Sequence, residues 1–94
     1  MRIDKFLFMI RLIKSRTQAQ ELLAQGRARI DGRRVEKPSE EVRVGSVVAL
    51  PLRGAVRILR VLALPTRRGP APEAQACYEE IAEGAPVDGT SRPA

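Results

Sequence analysis

The residues best placed to do chemistry are cationic. Arg2 and Lys5 stand at the start of the chain, Arg11, Lys14 and Arg16 gather around Ser15, and Arg33, Arg34 and Lys37 flank Asp31-Gly32. A guanidinium grips a phosphate through two parallel hydrogen bonds or stacks on a base, while an ammonium acts as a point charge. Many such groups at element ends and turns point to a polyanion held by a folded surface. Catalysis is not expected. The sequence has no His and a single Cys, Cys77, so a Cys/His metal site, a Cys–His nucleophile pair and an internal disulfide are all excluded. There is no glycine-rich phosphate loop. Glu40-Glu41 and Glu79-Glu80 read as solvated acidic pairs, and Cys77 as a small apolar residue on a helix. No cofactor is implied.

The net charge of +6 is unevenly spread. Residues 1–68 hold 16 Lys and Arg against 6 Asp and Glu, whereas residues 69–94 hold 1 against 5. The basic part therefore faces the partner, which the charge allows to be nucleic acid or an anionic membrane. The aromatics are Phe6, Phe8 and Tyr78 alone, too few for rows of base-stacking platforms. No stretch approaches the ~20 apolar residues of a membrane span, and Arg11 interrupts the apolar run at Phe6–Ile13, so no signal peptide is read. A reducing cytoplasm is the expected location.

The elements that must position these cations follow from periodicity. Ile3, Phe6, Leu7, Ile10 and Ile13 share one face of a helix expected from Asp4 to Lys14, with Phe8 and Leu12 on the other side. Asp4 suits the positive end of its dipole. Ser15 and Gln18 predict a capping box opening a second helix, which Gly26 ends. The Ser15 hydroxyl, Arg16 and the free N–H groups of that helix start would form a phosphate site, although a hydroxyl spent on capping is less available. Arg27–Ile30 alternates, Asp31-Gly32 predicts a tight hairpin, and Arg33–Val35 returns until Pro38. Strands are expected at Val47–Leu50 and Ala55–Ala63 around a Pro51–Gly54 turn. After a break at Arg67–Pro70, a last helix is expected over Glu73–Glu83. The result is an α+β fold: two N-terminal helices packed on a small, mostly antiparallel β-sheet, plus a short C-terminal helix.

Arg2-Ile3-Asp4-Lys5-Phe6-Leu7, Arg11-Leu12, Lys14-Ser15-Arg16, Ala19, Gly26 and Ile30-Asp31-Gly32-Arg33 together resemble the S4-type RNA-binding domain, with its alpha-L motif. Asp31 stands where that family usually carries Asn. The stretch Arg67-Arg68-Gly69-Pro70-Ala71-Pro72-Glu73-Ala74, followed by Tyr78-Glu79-Glu80, is similar to the heat-shock protein 15 family. The resemblance implies an RNA face made of Arg2, Lys5, Arg11, Lys14, Ser15, Arg16, Arg33 and Arg34, with Gln20 and Lys37 as weaker members. It implies a domain at 1–66, a helical extension at 67–84 and a flexible tail at 85–94. It further implies a monomer that binds ribosomal RNA on the free large ribosomal subunit still carrying a nascent chain on transfer RNA, and that aids recycling after heat stress. A general structured-RNA or transfer-RNA binder, or an accessory subunit docking a protein, are the alternatives. About six to eight phosphate contacts would give a log–log salt slope of about −4 to −7.

Overall fold

The structure is a computed structural model and describes residues 1–85. Helices α1 (Ile3–Met9) and α2 (Arg16–Ala24) are followed by strands β1 (Arg29–Ile30), β2 (Arg33–Arg34), β3 (Val47–Leu52) and β4 (Ala55–Val61), a short helix α3 (Ala71–Gln75) and strand β5 (Tyr78–Ala85). The five strands form one antiparallel sheet in the order β2-β1-β3-β4-β5. The α+β class read from the sequence is the one observed. The flexible tail expected over 85–94 lies, apart from Ala85 in β5, outside the described residues.

One apolar cluster joins the helices to one face of the sheet. Ile3, Phe6, Leu7 and Ile10 of the first helical stripe are buried with Ala19 and Leu23 of α2 and with Ile30, Val48, Leu50, Leu59 and Val61 of the strands. Cross-strand partners share a face, and faces alternate along a strand. Ile30 opposes both Arg33 and Val48, and Val48 opposes Leu59, so these positions line the helix-covered side. Arg29, Arg34, Ala49 and Ile58 fall on the opposite, outer side.

Helix α1 is shorter than expected. It ends at Met9, and Arg11 takes a left-handed φ of 66°, which turns the chain toward α2 before Lys14 is reached. Helix α2 matches its punctuation: Ser15 Oγ accepts the Gln18 N–H at 3.1 Å, and Gly26 follows at φ 74°. The Asp31-Gly32 turn has positive φ at both residues, the geometry that matches hairpin twist. Arg53-Gly54 repeats it between β3 and β4, so Pro51 belongs to β3, opposite Val56, rather than to the turn.

The helix expected over Glu73–Glu83 is not what forms. Pro72 does open a helix, but it stops at Gln75, and Tyr78 onward runs as a strand against β4. The Ala- and Glu-rich composition favours helix locally, yet long-range pairing overrides it. Glu79 and Glu80, expected as solvated, pair across the strands with Arg60 and Arg57. Cys77 consequently sits between α3 and β5 rather than on a helix, buried, with its thiol pushed up by burial and by the nearby Glu73 charge.

Candidate nucleic-acid interface

The start of the chain is held extended against residues 38–42. Ile3 N–H donates to the Glu40 carbonyl at 2.7 Å and Val42 N–H to the Met1 carbonyl at 2.8 Å. This places Arg2 just outside α1 and swings its guanidinium back onto Asp4. Arg2 Nε and Nη2 each lie 3.1 Å from one Asp4 carboxylate oxygen, the bidentate arrangement. Asp4 Oδ2 also accepts from Gln20 Nε2 at 3.0 Å and from Arg16 Nη2 at 3.4 Å, and Oδ1 from the Lys5 N–H at 2.8 Å. The carboxylate is fully buried, while the side chains of Arg2 and Arg16 stay 44% and 43% exposed. Burial pushes the Asp4 carboxyl up. Hydrogen bonds from Gln20, Arg2 and the Lys5 amide, with the Arg2 charge, outweigh it and hold the group below its ordinary 3.8.

Asp4 therefore does more than face a helix dipole. It gathers Arg2 from the chain start and Arg16 and Gln20 from α2 into one rigid cationic rim. Beside it, Ser15 Oγ caps α2, while the Arg16 and Thr17 N–H groups have no partner among the described residues. The capping role and the phosphate role of Ser15 are compatible, because the hydroxyl accepts from Gln18 and keeps its own proton to donate. Lys14 is exposed next to it.

The hairpin divides its two arginines. Arg33 lies on the helix side and its Nη1 meets Glu40 Oε1 at 2.6 Å. Glu40 Oε2 accepts the Glu36 N–H at 2.8 Å and the Lys37 N–H at 3.4 Å. The Glu36 amide first, and then Arg33, hold the Glu40 carboxyl below its usual range, and the bond from Glu40 raises Arg33 in turn. Glu40 is thus a clamp on the hairpin and not a solvated turn residue; Glu41 binds the N-terminal ammonium at 2.7 Å. Asp31 contributes from the turn, accepting the Val47 N–H at 2.9 Å. Arg34 lies on the outer side of the sheet, apart from Arg33.

Arg11 is the member that leaves the set. Its Nε donates to the Gly69 carbonyl, tying the end of α1 to the segment before α3. Arg68 completes that tie: its Nε donates to the Phe8 carbonyl at 2.9 Å and its guanidinium lies 4.5 Å from the Phe8 ring centroid. The apolar second side of α1 is covered there, by a cation–π contact that no local pattern announces. Arg27, Arg29 and Arg68 are cations the residue spacing did not single out. For Arg29 the signal was present, since an alternating strand before Asp31-Gly32 places it opposite Arg34.

Among the described residues no group of His, Cys, Asp and Glu is arranged to hold a metal, and no helix is long and apolar enough to cross a membrane.

The family model for the S4 domain matches residues 1–48, the segment from the chain start through the Asp4 rim and the hairpin. Heat shock protein 15 of Escherichia coli is 37% identical over 82 residues, which cover 87% of this chain. The chain spans 61% of the length of that relative. Small ribosomal subunit protein uS4 of Lacticaseibacillus casei is 45% identical over 49 residues, covering 52% of this chain and 24% of that protein. A trimeric structure of heat shock protein 15 from Vibrio cholerae superimposes with a TM-score of 0.81 at 32% identity, covering 87% of this chain and 82% of that one. The chain, with its α1–α2 pair, Asp4 rim and Asp31-Gly32 hairpin, belongs to the S4 domain family and within it resembles heat shock protein 15.

Proposed function

We propose that this chain is a cytoplasmic, non-enzymatic RNA-binding protein that grips ribosomal RNA on the free large ribosomal subunit, carrying a nascent chain on transfer RNA, and aids its recycling after heat stress. One observation carries the reading: the half-exposed guanidinium groups of Arg2 and Arg16, fixed by the buried Asp4 beside the open N–H groups of α2, on a chain of the S4 domain family. A phosphate approaching this rim meets oriented donors and the positive end of a helix together. Lys5, Lys14, Ser15, Gln20, Arg33 and Lys37 extend the same side. Shape and phosphate contacts of this kind suit folded RNA, whose deep groove hides its bases.

Binding of ribosomal RNA measured across a salt series tests the reading. A steep loss of affinity with salt is expected, and a flat response sinks it. Sedimentation of cell extract then separates the finer claim, because co-migration with free large subunits is expected and general RNA binding without it leaves only the broader function. The solved relative is described as trimeric; light scattering of this chain, for which a monomer is proposed, distinguishes the two states.

A further inference from the structure

The outer side of the sheet edge carries a second cationic site. Arg29 of β1 and Arg34 of β2 stand directly opposite each other on that side, where cross-strand Cβ atoms are about 4.5–5.5 Å apart and like charges repel. Arg27 joins them from the loop after α2. These three side chains line a groove of about 490 Å³ whose floor is Ala49, Pro51 and Val56, a size within the roughly 300–1,000 Å³ of ligand sites. The Arg34 stem lies against Gly26, 3.6 Å from where a side chain there would begin.

What distinguishes this trio is the absence of any counter-charge. Every carboxylate ion pair among the described residues falls elsewhere. Arg27 and Arg34 make no hydrogen bond, and Arg29 spends one donor on the Gly32 carbonyl at 3.3 Å. Two arginines held face to face without an acid are destabilising in the free protein, and an anion seated between them reverses the sign. The apolar floor adds a surface for a flat ring, and guanidinium planes stack on bases.

We propose that this groove binds a single-stranded RNA segment, phosphates on Arg29 and Arg34 and a base on the Ala49–Pro51–Val56 floor, so that RNA is held on both sides of the hairpin. The inference rests on the reading of the chain as an RNA binder and adds a site to it.

The test uses the full chain. Titration of the isotope-labelled protein with a short oligouridylate is expected to shift the amide signals of Gly26, Arg27, Arg29 and Arg34, and an acidic peptide at equal charge is expected to shift them less. The triple variant Arg27→Ala, Arg29→Ala, Arg34→Ala is expected to lower the salt slope for single-stranded RNA by about 2, at roughly 0.7 per lost phosphate contact. Arg34→Glu separates binding from folding: it places an acid opposite Arg29, so the thermal midpoint holds or rises while RNA affinity falls. Normal RNA binding with an unchanged slope in the triple variant overturns this site alone, as does a stronger response to the acidic peptide. No RNA binding by the unaltered chain overturns the RNA reading and this site together.

Discussion

The two sides of the hairpin handle positive charge in opposite ways. On the helix side, Arg2 and Arg16 share the buried Asp4, and Arg33 is clamped by Glu40. On the outer side, Arg27, Arg29 and Arg34 have no acid at all. The first arrangement surrenders part of its charge to gain fixed geometry, since each guanidinium is oriented before a ligand arrives. The second keeps its full charge and gains no orientation. The difference teaches that the density of Lys and Arg in a sequence is a poor guide to which of them are available: the helix-side rim has two arginines against one carboxylate, the outer trio three against none.

The largest expected effect comes from breaking the ordered side at its centre. Asp4→Ala leaves two arginines facing each other and Gln20 unpaired beside a buried void. With the partners half exposed, the loss is expected to be about 2 kcal/mol, at the low end for removing one member of a buried pair, and urea denaturation measures it. Helix-side RNA affinity should fall with it. A comparable change in the outer groove, Arg29→Ala, should leave stability unchanged or raise it. If both changes destabilise alike, the contrast between the two sides is false.

Acid sharpens the same contrast. The folded Asp4 carboxyl sits below its unfolded value of 3.8, so its contribution is complete above that pH and is lost as pH falls through the folded value. Thermal midpoints followed down an acid series should drop, and Asp4→Asn should flatten that part of the profile. Arginine does not titrate in this range, so variants of the outer trio should keep the wild-type acid limb.

Smaller effects belong to the supports. Ser15→Ala removes the α2 cap and is expected to lower stability by about 1 kcal/mol. Arg68→Ala loses the Phe8 carbonyl bond and the ring contact, again about 1 kcal/mol, with hydrogen exchange rising at the end of α1. Smallest is Glu79→Ala: the pair with Arg60 is about half exposed on both sides, so stability should change by only a few tenths of a kcal/mol, ~0.5 at most, and RNA binding should not weaken.

Much of the scaffold was legible because its signals are local. The aliphatic stripe of α1, the Ser15 cap, the Gly26 stop and the Asp31-Gly32 hairpin each depend on residues within a few positions, and all four are observed. What stayed hidden depends on distant partners. Nothing near Asp4 announces that Gln20 and Arg16 will close on it, or that Glu40 will reach Arg33. Arg11 looked like one more cation, yet a left-handed backbone and the Gly69 carbonyl take it away from the rim. The segment after Gln75 misled for the same reason, because its helix-favouring composition is overruled by a strand edge it meets only in the folded chain. Within the candidate site, residue type was readable and availability was not.

The last strand has a consequence for how this protein comes into being. β4 is complete at Val61, but its partner β5 begins at Tyr78 and ends at Ala85, and the Arg68–Phe8 tie spans 60 positions. During synthesis the chain must therefore pass through a stage in which α1, α2 and four strands have left the ribosome while β4 shows a bare edge, with Arg57 and Arg60 still waiting for Glu80 and Glu79. An uncovered strand edge is a template for wrong pairing, and non-local closure is slow. The positive charge on that edge repels a second copy until the acidic strand arrives, so the same glutamates that finish the sheet also end the period in which it can pair with the wrong neighbour.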